Sequence, residues 1–419
     1  PSSEPIFHTA NINFIEEING LLLRFIIYLY LTMENFQMIA KTQLGLEEVL
    51  AEELKQLGAQ DVEVLNRAVG FVGDLGFMYK ANLCLRTAIR ILKPIHKLTA
   101  RTDVQLYDEA KKFEWDQYID VNNTIAVNSA VNSDFFNHSH YVSLKVKDAI
   151  ADYFRDKTKG KRPSVDTKNP DVRINVHISN DKCNISIDSS GDSLHKRGYR
   201  HATNEAPISE VLAAGLILLS DWDRESDFLD PMCGSGTIVI EAAMIACNIP
   251  PALHRKSFCF MNWPGFDADL WETIKESAMK KVKDFPGKII GCDRSFASIR
   301  KAEANVKDAL LDDIIEIHRS NFVRKPHLFD TTGVVLFNPP YGERLEEDMS
   351  ELYGQIGDVF KKNYAGCSAW LITSDMEAVN AIGLRHTRRI KLFNGQIECR
   401  FLKYEMYEGT KKLHKLEEE

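Results

Sequence analysis

The chain has 419 residues, of which 44% are hydrophobic and 27% charged, and its formal net charge at pH 7 is −8. This length favours two or three domains over one core, and the acidic balance excludes a uniformly basic polyanion-binding protein. Any nucleic-acid surface must therefore be a local patch. The eight cysteines form no CxxC pair and no Cys/His spacing typical of zinc, so we expect no metal, no disulfide framework and a reducing cytoplasm.

The two ends of the chain differ from the rest. The apolar run 20–32 is shorter than a membrane span and contains Arg24. The acidic segment that precedes it is unlike the basic start of a signal peptide. We therefore expect residues 1–36 to be a leader outside the fold, residues 408–419 to be a charged tail, and no membrane association.

Residues 37–100 alternate short β-like runs with helical patterns. The run "QMIAKT" predicts a strand, and the amphipathic segment that follows predicts a helix closed by Gly58. A strand pair, a helix over 75–88 and a further strand complete the pattern. This order is typical of a ferredoxin-like α+β unit.

Residues 101–192 predict a second α+β unit that contains a basic loop. The segment 155–165, "RDKTKGKRPSV", is a helix end followed by a loop, and it includes Lys159, Lys161 and Arg162. These charges are explained either by a solvated helix C-terminus or by contact with a phosphate backbone. A second basic cluster, "LHKRGYRH" at 194–201, contributes Arg197 and Arg200 near the next domain boundary.

Residues 193–407 predict a doubly wound, Rossmann-like α/β domain. Helical segments separate the predicted strands, and a late strand pair closes the sheet. The strands are expected at 227–230, 288–293, 313–318, 334–338 and 369–374. Ligands of such sheets bind at the carboxyl ends of the strands.

Polar side chains and glycines follow several of these strands. Gly234 and Gly236 in "DPMCGSG" permit tight turns and close approach of a ligand. Asp230 ends the first strand, where a carboxylate suits a cationic group such as an amino-acid ammonium. Asp293 ends the next strand and suits ribose hydroxyls, and Asn321 follows the third, where it could contact an adenine edge.

The run "NPPY" at 338–341 directly follows an apolar strand. Proline stops the strand because it has no N–H and a fixed φ. The Asn338 side chain and the Pro339 carbonyl are acceptors fixed in space, and Tyr341 offers a flat face. The run is therefore either a plain turn or a site that holds an exocyclic amine of a nucleobase.

The order of these motifs resembles the class I S-adenosylmethionine-dependent methyltransferases that act on exocyclic amines. With the front half of the chain, the resemblance over 37–407 narrows to the THUMP-domain methyltransferases, specifically the 23S rRNA guanine-N2 methyltransferase family. It implies an RNA-binding THUMP domain at 101–192. It also implies a cofactor site formed by Asp230, Cys233, Gly234, Gly236, Asp293, Asn321 and Asn338, and a target-base site formed by Asn338, Pro339, Pro340 and Tyr341. Asn321 stands where such enzymes usually carry Asp.

Other functions remain open from the sequence. A tRNA guanine methyltransferase would also carry a THUMP domain, and NPPY also suits adenine N6 in DNA. A protein-glutamine methyltransferase would not need an RNA-binding half. A non-catalytic RNA-binding factor would not need NPPY.

Overall fold

The structure is a computed structural model that describes residues 35–200, 208–326, 329, 332–340 and 349–406. The predicted leader lies outside the described residues except for Asn35 and Phe36, and Phe36 begins the first strand. The predicted charged tail and Tyr341 also lie outside them.

The N-terminal half is built on one mixed sheet with helices packed against it. The strand order is β2-β3-β1-β4-β8-β7-β5-β6. Its strands are β1 Phe36–Lys41, β2 Gln60–Leu65, β3 Ala68–Gly73, β4 Arg90–Thr99, β5 Thr124–Asn132, β6 Ser164–Val165, β7 Val172–Ser179 and β8 Lys182–Asp188. Its helices are α1 Glu47–Leu57, α2 Leu75–Cys84, α3 Asp103–Lys112 and α4 Ser139–Lys157.

Local sequence explains the helix ends. Gly58 adopts φ 99° after α1, where its amide donates to carbonyls of the last turn. The Asp74 side chain accepts a hydrogen bond from the Phe77 amide at 2.7 Å and so caps the start of α2.

The two predicted N-terminal units share this sheet. Strand β4 pairs with β1 on one side and with β8 on the other, both antiparallel. The ladder between β4 and β8 runs from the Leu92–Asp188 pair to the Thr99–Lys182 pair. The ferredoxin-like and THUMP-like units are therefore joined by one antiparallel ladder, which has an irregularity between Pro94 and His96.

The C-terminal half is a seven-stranded sheet in the order β11-β10-β9-β12-β13-β15-β14. Its strands are β9 Asp227–Asp230, β10 Ile289–Asp293, β11 Ile315–Arg319, β12 Gly333–Phe337, β13 Ser368–Thr373, β14 Arg388–Asn394 and β15 Ile397–Glu405. The helices are α5 Glu210–Leu219, α6 Thr237–Ala246, α7 Ala268–Met279, α8 Phe296–Asp308, α9 Met349–Asn363 and α10 Met376–Val379. Strands β9 to β13 are parallel and the last pair is antiparallel, so the predicted doubly wound fold is confirmed.

The segment between α6 and β10 joins the two halves. Phe258, Phe260 and Trp271 from this segment lie in the same buried cluster as Met38 and Tyr79 of the ferredoxin-like unit. The Tyr79 and Phe260 rings stack with centroids 4.5 Å apart. What the sequence shows as an insertion is therefore an interface between domains.

Candidate active site

The strand order brings the predicted site residues together at the carboxyl ends of neighbouring parallel strands. Strand β9 lies between β10 and β12 and is parallel to both. Leu229 is in register with Ile290 on one side and with Val335 on the other. The order of the strands reverses at this point, and open α/β sheets bind ligands at such a switch.

Asp230 ends β9 as a deeply buried carboxyl, with 1% of its surface exposed. Its Oδ1 accepts a hydrogen bond from the Met232 amide at 3.0 Å, and no described cation pairs with it. Burial raises the pKa of Asp230 well above its usual range, the Met232 hydrogen bond opposes this rise, and the nearby Asp293 carboxylate adds to it. A ligand that supplied a positive charge here would stabilise the carboxylate.

The loop after β9 is held tightly against β10. Gly234 and Gly236 adopt φ 56° and 84°, and a Cβ on Gly236 would lie 3.3 Å from the Ala302 Cβ. The Gly234 amide donates to Asp293 Oδ2 at 3.1 Å, while Asp293 Oδ1 accepts from the Ser295 amide at 2.7 Å. Asp293 therefore fixes the loop in addition to ending its strand.

Cys233 lies within this loop and is 7% exposed. Burial raises the pKa of its thiol well above the usual value, and the carboxylates of Asp230 and Asp293 raise it further. The thiol therefore stays neutral. The Cys233 side chain packs against Gly291, because a Cβ added at Gly291 would lie 3.3 Å from Cys233 Sγ. This packing contact shapes the loop.

Asn305 holds the same loop and was not predicted from the sequence. It is 1% exposed on α8, and its Nδ2 donates to the Ser235 carbonyl at 3.0 Å. In the sequence, Asn305 could have been recognised as a polar residue on the apolar helix face that also carries Ile299, Ala302 and Val306.

Asn321 follows β11 and uses part of its amide locally. Its Oδ1 accepts from the Val323 amide at 3.2 Å, and its carbonyl accepts from the Lys325 amide at 2.8 Å. This arrangement fixes the turn and leaves the Nδ2 donor for a ligand.

Asn338 follows β12, whose five residues are all buried. Its Oδ1 is buried and has no hydrogen-bond partner among the described residues. A buried acceptor without a partner is costly unless a ligand donates to it. Pro339 is buried and Pro340 half-buried beside it, so the first three residues of the NPPY run lie together at the switch point.

The predicted RNA-contacting residues divide into two groups. Lys159, Lys161 and Arg162 are exposed in the loop after α4, where they are free to meet phosphate. Arg197 is fully buried and pairs with Glu241 at 3.3 Å, which is incompatible with the predicted RNA contact.

Arg200 departs from its predicted role in a similar way. Its side chain is 12% exposed and pairs with Glu210 at 3.2 Å. It also donates to the Ile208 carbonyl at 3.0 Å and to the Thr237 hydroxyl at the start of α6. Arg197 and Arg200 are therefore paired within the fold, and the sequence could not distinguish such paired charges from solvated ones.

Comparison with known proteins agrees with this architecture. Three family models match in chain order: an RlmL ferredoxin-like domain at residues 37–92, a THUMP domain at 100–188 and an RMKL-like methyltransferase domain at 197–403. A putative RNA methyltransferase of Synechocystis is 38% identical over 368 residues, which are 87% of this chain and 95% of the relative. The chain belongs to the THUMP-containing, RMKL-like methyltransferase family.

Further relatives extend the comparison to a longer protein. The ribosomal RNA large subunit methyltransferase K/L of Syntrophotalea carbinolica is 37% identical over 377 residues, which are 87% of this chain but 53% of that protein. The methyltransferase thus spans about half the length of this relative.

Solved structures share the whole described architecture. A putative methyltransferase complexed with SAH is 29% identical, and a possible methylase from Clostridium difficile 630 is 32% identical. Each structure has a TM-score of 0.80. The matched region is 90% of this chain and 100% of the chain in the solved structure. The methyltransferase therefore has the class I fold with S-adenosylmethionine as its methyl donor, and its THUMP domain indicates RNA as the substrate class.

The described residues contain no helix that is both long and apolar enough to cross a membrane. Within the same residues, no group of three or more His, Cys, Asp and Glu side chains is arranged to hold a metal ion.

Proposed function

We propose that this methyltransferase transfers a methyl group from S-adenosylmethionine to the exocyclic N2 amine of a guanine in 23S rRNA. The observation that carries the proposal is the buried Oδ1 of Asn338 at the switch point of the sheet, which has no partner among the described residues. An amine is a donor that such an acceptor needs. The ribosomal RNA large subunit name of the K/L relatives supports rRNA, and the resemblance of the sequence motifs supports N2 of guanine.

The residues around β9 and β10 would hold the cofactor. The Asp230 carboxylate suits the ammonium of the methionine part, and Asp293 suits the ribose hydroxyls. The loop containing Cys233, Gly234 and Gly236 would approach the cofactor closely. The Asn321 Nδ2 would meet the adenine edge. The bound sulfonium supplies an electrophilic methyl group, so the protein contributes chiefly by positioning.

The NPPY run would hold the target base. Asn338 Oδ1 and the Pro339 carbonyl would accept the two N–H bonds of the amine and so orient its lone pair. Pro340 fixes its own φ and restricts the backbone of Pro339 before it. Tyr341 would stack on a base taken out of its helix, as enzymes that modify bases require.

The predicted domain limits belong to the same proposal. We assign 37–100 to a ferredoxin-like domain, 101–192 to the RNA-binding THUMP domain and 193–407 to the catalytic domain. The family models match residues 37–92, 100–188 and 197–403, which supports the division to within one residue. All eight cysteines are free thiols, which suits a reducing cytoplasm.

Nucleoside analysis tests the substrate. Total RNA lacking the modification would be incubated with the protein and labelled S-adenosylmethionine, then digested and separated. We expect label in N2-methylguanosine from the large-subunit RNA fraction, with heat-denatured protein as the control. Label in tRNA would instead support the alternative function, a tRNA guanine methyltransferase. A parallel incubation contains DNA in place of RNA, and label in N6-methyladenine of that DNA would contradict the proposal. This arm is needed because one 32% identical structure is described as a predicted N6-adenine-specific DNA methylase.

The exposed basic loop gives a prediction about RNA affinity. Replacing Lys159, Lys161 and Arg162 together by Ala should weaken RNA binding and reduce the slope of log affinity against log salt by about 2 to 3. The slope falls because each lost phosphate contact releases one counterion fewer. Affinity for S-adenosylmethionine should not change. Filter binding from 50 to 200 mM salt measures the slope, and an unchanged slope would show that the loop is only solvated.

A further inference from the structure

A cavity of about 310 Å³ lies between the ferredoxin-like and methyltransferase domains. Helices α1 and α2 line one side, and the ends of α5, α6 and α7 line the other. Ile245, near the end of α6, is part of the wall, whereas the cofactor loop precedes the start of this helix. The cavity is therefore separate from the site at the strand ends. Its charged lining residues are Glu53, Lys80, Arg86, Arg224 and Lys281.

The lining is rich in positive charge. Four cations face one carboxylate, which leaves a formal excess of +3 (4 − 1). The Glu53 carboxylate already accepts hydrogen bonds from the Arg86 amide at 2.8 Å, the Thr87 amide at 3.0 Å and the Thr87 hydroxyl. Its oxygens are therefore committed to backbone and hydroxyl donors beside the cavity.

Two of the cations have a structural role at helix ends. Lys80 Nζ donates to the Leu57 carbonyl at 2.6 Å, and Arg86 Nη2 donates to the Met244 and Ile249 carbonyls at 3.0 and 2.9 Å. Such contacts stabilise helix C-termini. They use Arg86 Nη2 and one N–H of the Lys80 ammonium, and they leave Arg86 Nη1 and the remaining N–H groups of Lys80 for another acceptor.

Some donors around the cavity lack an acceptor among the described residues. Arg86 is 8% exposed, and no described residue accepts a hydrogen bond from its buried Nη1. No carboxylate in the described part of the chain pairs with Lys80, Arg224 or Lys281. Burial lowers the pKa of Arg86 and of Lys80, and the charge of Lys281 lowers that of Lys80 further. Positive charge therefore exceeds negative charge on the cavity wall, where Glu53 is the one carboxylate among the lining residues.

We propose that this cavity binds a small phosphate-bearing metabolite. A phosphate group offers several acceptor oxygens and at least one negative charge, which match a guanidinium fork and two ammonium groups. The volume is at the lower end of small-molecule sites, so a phosphate with a small organic part suits it. Binding of this ligand is a property separate from the proposed methyl transfer and does not depend on it.

Calorimetry and thermal unfolding of the full chain test the proposal. The probes are inorganic phosphate, pyrophosphate and ribose 5-phosphate, each compared with sodium chloride at the same ionic strength. We expect at least one probe to bind saturably and raise Tm beyond the chloride effect. The double variant Lys281→Glu/Arg224→Glu should weaken this binding at least tenfold, because both residues are exposed and their reversal should not disturb the fold.

Matched variants show whether the effect belongs to the cavity. Lys280→Glu changes the neighbouring exposed residue outside the cavity and should leave probe affinity unchanged, as should the triple Ala variant of the loop at 159–162. Unchanged S-adenosylmethionine affinity in the double variant would show that it is folded. The proposal is overturned if no probe exceeds chloride or if the double variant binds equally well. It is also overturned if the double variant loses only RNA affinity, since the cavity would then belong to the RNA surface.

Discussion

Asn338→Ala is expected to lower the rate of methyl transfer at least about 100-fold, because misalignment of reacting atoms carries a cost of this size. The change removes the buried Oδ1, which has no hydrogen-bond partner among the described residues, so the free energy of unfolding of the variant should hardly change. Single-turnover kinetics with labelled cofactor measures the rate. Calorimetry should show that affinity for S-adenosylmethionine falls much less than the rate.

A control substitution and two substitutions of Tyr341 complete this test. Asn380→Ala changes an exposed asparagine of the same domain and should retain activity. Tyr341→Ala should lose about 1–3 kcal/mol of base stacking, whereas Tyr341→Phe should retain much activity because the ring remains. If Asn338→Ala methylated RNA at the normal rate, the NPPY run would be only a turn.

Asp230→Asn is expected to weaken S-adenosylmethionine binding by about 1.5–3 kcal/mol, since a charge-assisted contact is replaced by a neutral one. This corresponds to roughly a 10- to 150-fold increase in Kd. Burial raises the pKa of Asp230, so wild-type affinity should fall as the pH decreases through that raised value. The variant should lack this dependence. Calorimetry at several pH values measures both effects.

The same substitution should stabilise the protein without cofactor. Because burial raises the pKa of Asp230 above its value in the unfolded chain, the folded state favours the protonated carboxyl. Its ionisation therefore destabilises the fold increasingly as the pH rises from the unfolded pKa to the folded one. The variant should have a higher Tm than the wild type at neutral pH, and the difference should vanish in acid.

Asp308→Asn provides the control for this experiment, because it removes an exposed carboxylate from α8. It should change neither cofactor affinity nor the pH dependence of Tm. Equal affinity of Asp230→Asn and wild type would reject the assignment of Asp230 to the ammonium.

Local sequence determined much of the fold and of the candidate site. Strand periodicity and turn chemistry are short-range properties, so the apolar runs before Asp230, Asp293 and Asn338 were recognisable one at a time. The positive φ values of Gly234 and Gly236 likewise follow from a turn that needs glycine. The confirmed doubly wound α/β fold follows from the alternation of these elements along the chain.

Burial of individual side chains was decided only by the tertiary structure. Arg197 and Lys161 look alike in their basic segments, yet Arg197 is fully buried against Glu241 and Lys161 is exposed. The partner of Arg197 is 44 positions away, beyond the reach of any local pattern. Burial depends on which distant segments cover a residue, and that is set when the whole chain packs. For the same reason, the contact of Asn305 with the cofactor loop and the packing of Phe260 on Tyr79 followed only from the assembled domains.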